Sequence, residues 1–171
     1  MKCRARFLTV LAFAGASLCA FGAPSGGALS ISLQVQNAGP RQVEESTEKA
    51  VARDYAAAWQ AMAKVLDEND AQAATANFVG TAAEKLAKTI EAQKKAGLHR
   101  RYIDRGHKVQ AVFYSPEGSA IELHDDAQLQ MQLLDGSKVI SSEDLTAHYV
   151  VLMTAAADSW KVRVLQQVPS F

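Results

Sequence analysis

The C-terminal part of the chain alternates between apolar and polar residues with a period of two. The alternation runs from 145 to 153 and, after a turn rich in Ala, Asp and Ser over 155–159, resumes from 160 to 168. Alternation on both sides of a short turn predicts an antiparallel hairpin with one buried face. That face would carry Tyr149, Val151, Met153, Trp160, Val162, Val164 and Val168.

Two further runs upstream show the same period. One covers 108–114 and ends in a turn over 115–118, and the other begins at Ile121 and continues to Leu133. Asp125 and Asp126 interrupt the second run, which predicts a β-bulge at that point. The dipeptide at 135–136, Asp-Gly, is typical of a two-residue hairpin turn. The pattern from about 98 to 168 therefore predicts a curved, bulged, four-stranded antiparallel sheet.

Three helices are predicted before the strands. The first covers 44–66 with an apolar stripe that includes Tyr55 and Trp59, and the second is short, over 71–78. The third follows a capping box formed by Thr81 and Glu84 and ends at Gly97. Helices first and strands second predict an α+β domain over 44–168, with three helices packed on one face of the sheet.

The first 22 residues have the pattern of a secretory signal. Three basic residues (Lys2, Arg4, Arg6) precede an apolar run over 7–18, and a cleavage site follows Gly22. The apolar run is too short to span a membrane. We therefore expect an exported protein, periplasmic or secreted, without a stable membrane anchor after cleavage. Residues 23–43 would form a flexible arm with a short strand over 28–35.

Charge and cysteine content exclude several classes of function. Without Lys2, Arg4 and Arg6 the remaining chain has 15 basic and 18 acidic residues, a net charge of about −3. This balance gives no attraction to nucleic acid or to an anionic membrane. Both cysteines lie within the first 22 residues, so disulfides and thiolate chemistry are not expected, and no cofactor is implied.

The predicted architecture resembles the nuclear transport factor 2-like superfamily, a curved-sheet cone shared with ketosteroid isomerases and polyketide cyclases. The matching features are Tyr55 and Trp59 on the first helix, Asn69-Asp70 and Phe78 in the second, and the final hairpin with Tyr149 and Trp160. The resemblance covers 44–168. It implies a pocket between the sheet and the helices, and its members include isomerases, dehydratases, cyclases and non-catalytic binding domains, so it does not select an activity.

The inward face favours a non-catalytic domain that binds a small apolar ligand or a protein partner. Its pocket would be lined by Tyr55, Trp59, Phe113, Met131, Tyr149 and Trp160. The alternative is an isomerase, dehydratase or cyclase in which Tyr55 or Tyr149 polarises a carbonyl and Asp54 or Asp104 acts as base. We expect no carboxylate on the inward face, which argues against the enzyme.

The outward face of the sheet is predicted to be low in charge. A face left to water would carry more Lys and Glu, so this composition is typical of a protein contact and indicates a homodimer. The alternative is a face covered by the arm over 28–35. The contact residues would be Gln128, Gln130, Gln132, Val150, Leu152 and Leu165.

Two polar clusters remain. His124, Asp125 and Asp126 could contribute metal ligands together with His107 or His148, but adjacent strand residues point to opposite faces, so no metal site is expected. The basic segment over 99–108 includes Tyr102 and could bind an anionic ligand or partner. Because such segments are usually solvated, we do not assign it a role from sequence.

Overall fold

The computed structural model describes Leu29 and residues 31–70 and 76–171. The predicted signal over 1–22 and most of the flexible part of the arm lie outside these residues. Within them the chain forms two helices and six strands. In chain order these are β1 (Leu33–Gln34), β2 (Gly39–Pro40), α1 (Glu45–Glu68), α2 (Gly80–Ala96), β3 (His99–Tyr114), β4 (Ala120–Asp135), β5 (Lys138–Ala155) and β6 (Trp160–Val168).

All six strands of the described chain belong to one mixed sheet. The four long strands β3 to β6 form an antiparallel meander, as the sequence predicts. The short strands β1 and β2 both pair in parallel with β3. The prediction of a purely antiparallel, four-stranded sheet is therefore wrong in detail, because the N-terminal arm adds to the sheet edge. Ile31 and Leu33 of the arm are buried in the core, so these residues do not cover the outward face.

The helices differ from the prediction in number and in how the second one begins. Residues 71–75 lie outside the described part, and 76–78 form a turn with a bridge from Phe78 to Val162. The last helix begins at Gly80 without a side-chain cap. The predicted capping box is wrong, because the Thr81 hydroxyl donates to the carbonyl of Arg163 instead. The helix does end at Gly97, which adopts a left-handed conformation with φ of 68°.

The bulges of the sheet lie in different places from the predicted one. From Ala120 to Leu133, β4 pairs with β5 without a shift, so Asp125 and Asp126 do not form a bulge. The shifts against β4 occur in β3 instead, between Asp104 and Gly106 and between Ala111 and Phe113. Each bulge adds one residue to β3 and reverses the faces of the residues that follow.

These shifts correct the predicted faces of five residues. After the second bulge of β3, Tyr114 turns inward and is 2% exposed, whereas Phe113 turns outward and is 39% exposed. A shift in the β5–β6 pairing at Met153 pairs Val164 with Leu152, Leu165 with the buried Val151 and Val168 with the outward residue His148. Leu165 therefore faces inward. The predicted faces are wrong for Phe113, Tyr114, Val164, Leu165 and Val168.

The core lies between the inward face of the sheet and the two helices. Helix α1 contributes the largest set of buried side chains and packs against β3 and β6, while α2 packs against β6 and β3. In the described part of the chain no helix is both long and apolar enough to cross a membrane. The buried members of α1 are Val51, Asp54, Tyr55, Ala56, Ala58, Trp59, Met62, Val65 and Leu66.

Candidate functional site

A fully buried carboxylate lies on the inward face of β4. Asp125 occupies the same face as Leu123 and Ala127, and its side chain has no exposure to solvent. The Tyr55 hydroxyl, from α1, donates to Asp125 Oδ2 at 2.7 Å. The imidazole Nδ1 of His107, from β3, lies 2.8 Å from the same oxygen and 3.0 Å from Oδ1. Three elements thus converge on one buried charge.

Both ring nitrogens of His107 face a carboxylate. Nδ1 contacts Asp125, and Nε2 lies 2.7 Å from Asp104 Oδ2. A neutral imidazole has only one N–H and would aim a lone pair at one of the two carboxylates, whereas an imidazolium donates to both. Burial alone would lower the pKa of His107, but the hydrogen bond and charge of Asp125, with those of Asp104, outweigh it and raise this pKa. The geometry and the charges therefore favour the protonated ring.

A bulge in β3 brings Asp104 and His107 to one side of the sheet. Residues three apart on a regular strand point to opposite faces. Here the register shifts between Asp104 and Gly106, so the extra residue, Arg105, restores both side chains to the same face. Gly106 has a φ of 140°, and its N–H donates to Asp104 Oδ1 at 2.7 Å, which holds the turn. Asp104 keeps 32% of its side chain exposed, so the chain of contacts ends at solvent.

Aromatic rings enclose the His107–Asp125 pair. The Trp59 ring lies 4.7 Å from the His107 ring and 5.4 Å from the Tyr149 ring, between centroids. Contact of a cation with an aromatic face adds to its stabilisation. Burial, and then Asp125, raises the pKa of Tyr55, so its hydroxyl remains a proton donor. Burial likewise raises the pKa of Tyr149.

The Trp59 indole N–H is buried and has no hydrogen-bond partner among the described residues. The indole N–H acts to lower the pKa of Tyr55. It does not have the geometry of a normal hydrogen bond to the Tyr55 hydroxyl. An unpaired buried N–H is costly. Trp59 therefore contributes to this part of the core through the packing of its ring and not through its N–H.

A cavity of about 150 Å³ lies between the two helices and the inward face of the sheet. Tyr149 and Tyr102 lie in its wall, but Asp125, His107 and Tyr55 do not. We call it the inner cavity. The acid–base groups are thus buried beside it and not open to it. Its lining residues are Met62, Leu66, Phe78, Ala82, Lys85, Leu86, Thr89, Arg100, Tyr102, Tyr149 and Leu165.

The six predicted pocket residues do not line one common pocket in the structure. Tyr149 lines the inner cavity, while Tyr55 and Trp59 are buried next to it. Met131 is half-buried, and Phe113 is on the outward face. The sixth residue, Trp160, is buried with its ring 6.4 Å from that of Tyr114.

Two predicted candidates for the catalytic base have structural partners. Asp54 accepts hydrogen bonds from the backbone N–H of Trp160 at 2.7 Å and from Arg53 Nε at 2.8 Å, and so ties the start of β6 to α1. Asp104 does reach the buried cluster, through His107. Of the two, only Asp104 belongs to the site.

The two central residues of the cluster, His107 and Asp125, are missing from the predicted site. The signal was present, because Asp125 has the same phase as Leu123 and Leu129, and His107 has the same phase as Val109. The expectation that no carboxylate falls on the inward face is therefore wrong. Burial of Asp125 is compensated by partners that are distant in sequence.

Alternation also separates the polar residues around Asp125. On the outward face Asp126 pairs with His148, with 2.5 Å between Oδ1 and Nδ1. Another outward residue, His124, stacks on Phe171 with ring centroids 4.1 Å apart. No cluster of three or more His, Cys, Asp or Glu side chains suited to a metal ion occurs in the described part of the chain.

Removal of the buried charge tests the importance of the cluster. We expect Asp125→Asn to lower the free energy of unfolding by about 3 kcal/mol or more, because His107 loses its buried counter-charge. The neighbouring change Asp126→Asn on the outward face is the matched control and should cost less than about 1 kcal/mol. Urea unfolding followed by circular dichroism measures both. Equal losses in the two variants would contradict the assigned role.

The raised pKa of His107 also predicts a pH dependence. In the folded protein the pKa of His107 lies above its ordinary value of 6.5. The stability that this proton contributes is therefore fully present below pH 6.5 and is lost as the pH rises through the folded-state pKa. We expect Asp104→Asn to reduce the loss, because it removes one of the two carboxylates that raise the pKa. Urea unfolding at several pH values from about 6 to about 9 measures the slope. An unchanged slope would show that Asp104 does not act on His107.

Comparison with known proteins identifies a fold but no close relative. No protein-family model and no curated protein sequence matches the chain. Among solved structures, the intermembrane space region of the chloroplast protein ARC6 has a TM-score of 0.59 at 12% identity, and the match covers 75% of this chain and 98% of that one. At this identity the similarity concerns the fold alone.

Two bacterial structures are more distant matches. Aln2 from a Streptomyces species is 14% identical with a TM-score of 0.48, covering 74% of this chain and 94% of its own. A protein from Streptomyces avermitilis, described as a dehydratase of the NTF2-like family, is 10% identical with a TM-score of 0.48, covering 71% and 97%.

Proposed function

We propose that this chain is an exported, non-catalytic domain that binds a small ligand through an apolar group held in the inner cavity. The observation that carries the proposal is the inner cavity itself, whose walls include buried apolar side chains of both helices. Pockets of this kind are mostly apolar with a few polar groups. Here Tyr102 and Tyr149 supply hydroxyl groups, and Lys85 and Arg100 supply charge.

The size of the inner cavity sets the size of the apolar group. A cavity of about 150 Å³ holds one benzene-sized group, whereas drug-sized ligands usually need about 300 Å³ or more. A single ring or a short branched chain therefore fits, and a fused polycyclic skeleton does not. This limit argues against the steroid-sized substrates of the ketosteroid isomerases.

Burial of the acid–base groups supports binding over catalysis. A catalytic base must come within hydrogen-bond reach of its substrate, yet Asp125 and His107 have no exposed side-chain area and do not line the inner cavity. The His107–Asp125 pair inside the fold is the observation that favours the alternative, an isomerase, dehydratase or cyclase. In that case Trp59 would have to move to let a substrate reach Asp125.

Export is part of the proposal and rests on the sequence of residues 1–22. A basic start, an apolar run and a small-residue cleavage site are typical of a secretory signal. No cysteine occurs after Cys19, so in an oxidising compartment the domain would depend on its core and on the buried Asp125 cluster.

Filling the inner cavity tests the proposed function. We expect toluene to bind saturably and to shift the methyl resonance of Met62, which lines the inner cavity. Ala82→Leu should abolish binding because its added side chain occupies the same space, while Ala57→Leu on the exposed side of α1 is the matched control. Methyl NMR titration measures both, with circular dichroism to check folding. No saturable shift in the original protein would overturn the proposal.

We also propose that a second copy of the chain packs against the outward face of the sheet. Gln128, Gln130 and Gln132 on β4 and Val150 and Leu152 on β5 give this face an uncharged part, although Glu122, Asp126 and Asp144 lie on the same face. The structure adds Phe113 and Phe171, which are 39% and 53% exposed. Leu165 is not part of the surface because it faces the core. Exposed aromatic rings are typical of interface cores.

A charge placed on the outward face tests this contact. We expect the original protein to be a dimer and Leu152→Glu to be a monomer, because the added carboxylate lies opposite Glu122 and an unpaired buried charge in an interface is strongly unfavourable. Gln60→Glu on the exposed side of α1 is the matched control. Size-exclusion chromatography with light scattering gives the masses. A monomeric original protein, or a dimer that survives Leu152→Glu, would contradict this proposal.

A further inference from the structure

A second cavity adjoins the inner cavity. Its volume is about 440 Å³, and Thr89 and Arg100 belong to the walls of both cavities. We call it the outer cavity. It lies between the exposed half of α2 and the start of β3, so a smaller and a larger cavity lie side by side. The outer cavity is lined by Lys88, Thr89, Ala92, Gln93, Ala96, Leu98, Arg100 and Leu133.

The charges of the two walls are all positive. Lys85 and Arg100 line the inner cavity, Lys88 and Arg100 line the outer one, and neither wall contains an Asp or Glu. In the described part of the chain, none of these three cations takes part in a salt bridge or a side-chain hydrogen bond. The wall therefore presents three cations without a protein counter-charge.

Other basic side chains of the same region do have carboxylate partners. Arg101 contacts Asp67 at 3.0 Å, and Arg105 contacts Asp144 at 3.6 Å. These two arginines and Arg100 belong to the basic segment over 99–108. The segment is thus divided between neutralised arginines and one arginine, Arg100, that is half-buried at the junction of the two cavities.

A buried polar atom also lies at the outer cavity. Gln93 is 5% exposed, and its Nε2 donates to the carbonyl of Leu66 at 3.0 Å and to Asn69 Oδ1 at 2.6 Å. Its Oε1 is buried and has no partner within the described residues. A buried carbonyl oxygen without a donor is unfavourable. The lining of the outer cavity is otherwise mainly apolar, so the groups in it that can bind an anion are Lys88 and Arg100.

We infer that the ligand is an amphipathic organic anion, with its apolar group in the inner cavity and its carboxylate or other oxyanion at Arg100 and Lys88 in the outer cavity. This inference rests on the proposed function and specifies its ligand class. Arginine binds a carboxylate through two parallel hydrogen bonds. A cationic ligand has no acidic partner in either wall.

Three phenyl compounds separate this inference from the proposed function. Isothermal titration calorimetry on the full chain compares 3-phenylpropionate with 3-phenylpropan-1-ol, which has the same ring and linker without the charge, and with toluene. We expect the acid to bind about tenfold or more tightly than the alcohol, which is the scale of one charge-assisted contact. Added salt should weaken binding of the acid and not of the alcohol, because salt screens the interaction of the carboxylate with cations near solvent.

Variants test whether the difference in affinity between the acid and the alcohol arises from the cavity wall. Arg100→Gln should remove the advantage of the acid over the alcohol, while Lys95→Gln, an exposed lysine of α2 outside both walls, is the matched control. An alcohol that binds as tightly as the acid, or an acid unaffected by Arg100→Gln, would overturn the inference and leave the proposed function standing. Failure of all three compounds to bind would overturn both.

Discussion

A carboxylate that has no contact with water must be neutralised where it lies, and Asp125 imposes this requirement on the whole core. Its partners come from different elements, Tyr55 from α1 and His107 from β3. Removing one ion from water costs several kcal/mol, and the cost is recovered only with good geometry and full hydrogen bonding. The orientation of α1 and the register of β3 against β4 are therefore both constrained by this one charge.

The bulge at Arg105 extends the constraint to the surface. If β3 ran without an extra residue, Asp104 and His107 would lie on opposite faces, and His107 Nε2 would have no carboxylate. With the bulge, a buried ion pair continues into a third charge that is partly solvated. Asp104 can therefore stabilise the imidazolium without adding a second fully buried anion. The positive φ of Gly106 is the local feature that permits this bend.

Periodicity predicted the α+β class, the long first helix and the four long strands, because these features depend on local alternation between apolar and polar residues. It failed at positions where one residue is added. Phe113 and Leu165 were placed on the wrong faces because a bulge leaves no mark in an apolar–polar pattern. The N-terminal arm joined the sheet edge through pairing with β3, and such parallel contacts are distant in sequence.

Asp125 shows a different kind of failure. Its phase matches the buried residues on both sides, so alternation alone would have placed it inside. Its charge instead led to the prediction of a bulge, because an isolated carboxylate in a core is unfavourable. What makes burial acceptable is a tyrosine 70 residues and a histidine 18 residues away in sequence. An argument from composition cannot detect these partners. The phase of the strand, in contrast, does indicate that Asp125 is buried.

The helices over the inward face of the sheet contribute to two separate features, the buried Asp125 cluster and the proposed binding cavities. Helix α1 supplies Tyr55 and Trp59 to the charged cluster, whereas α2 supplies Ala82 and Leu86 to the inner cavity and Lys88 to the outer one. Under the proposed function, substitutions on α2 change which ligand is bound without disturbing the buried ion pair. An enzyme would need the opposite arrangement, with the acid–base pair in the cavity wall. The separation of the His107–Asp125 pair from the inner cavity is therefore the physical reason why binding, and not catalysis, is the proposed function.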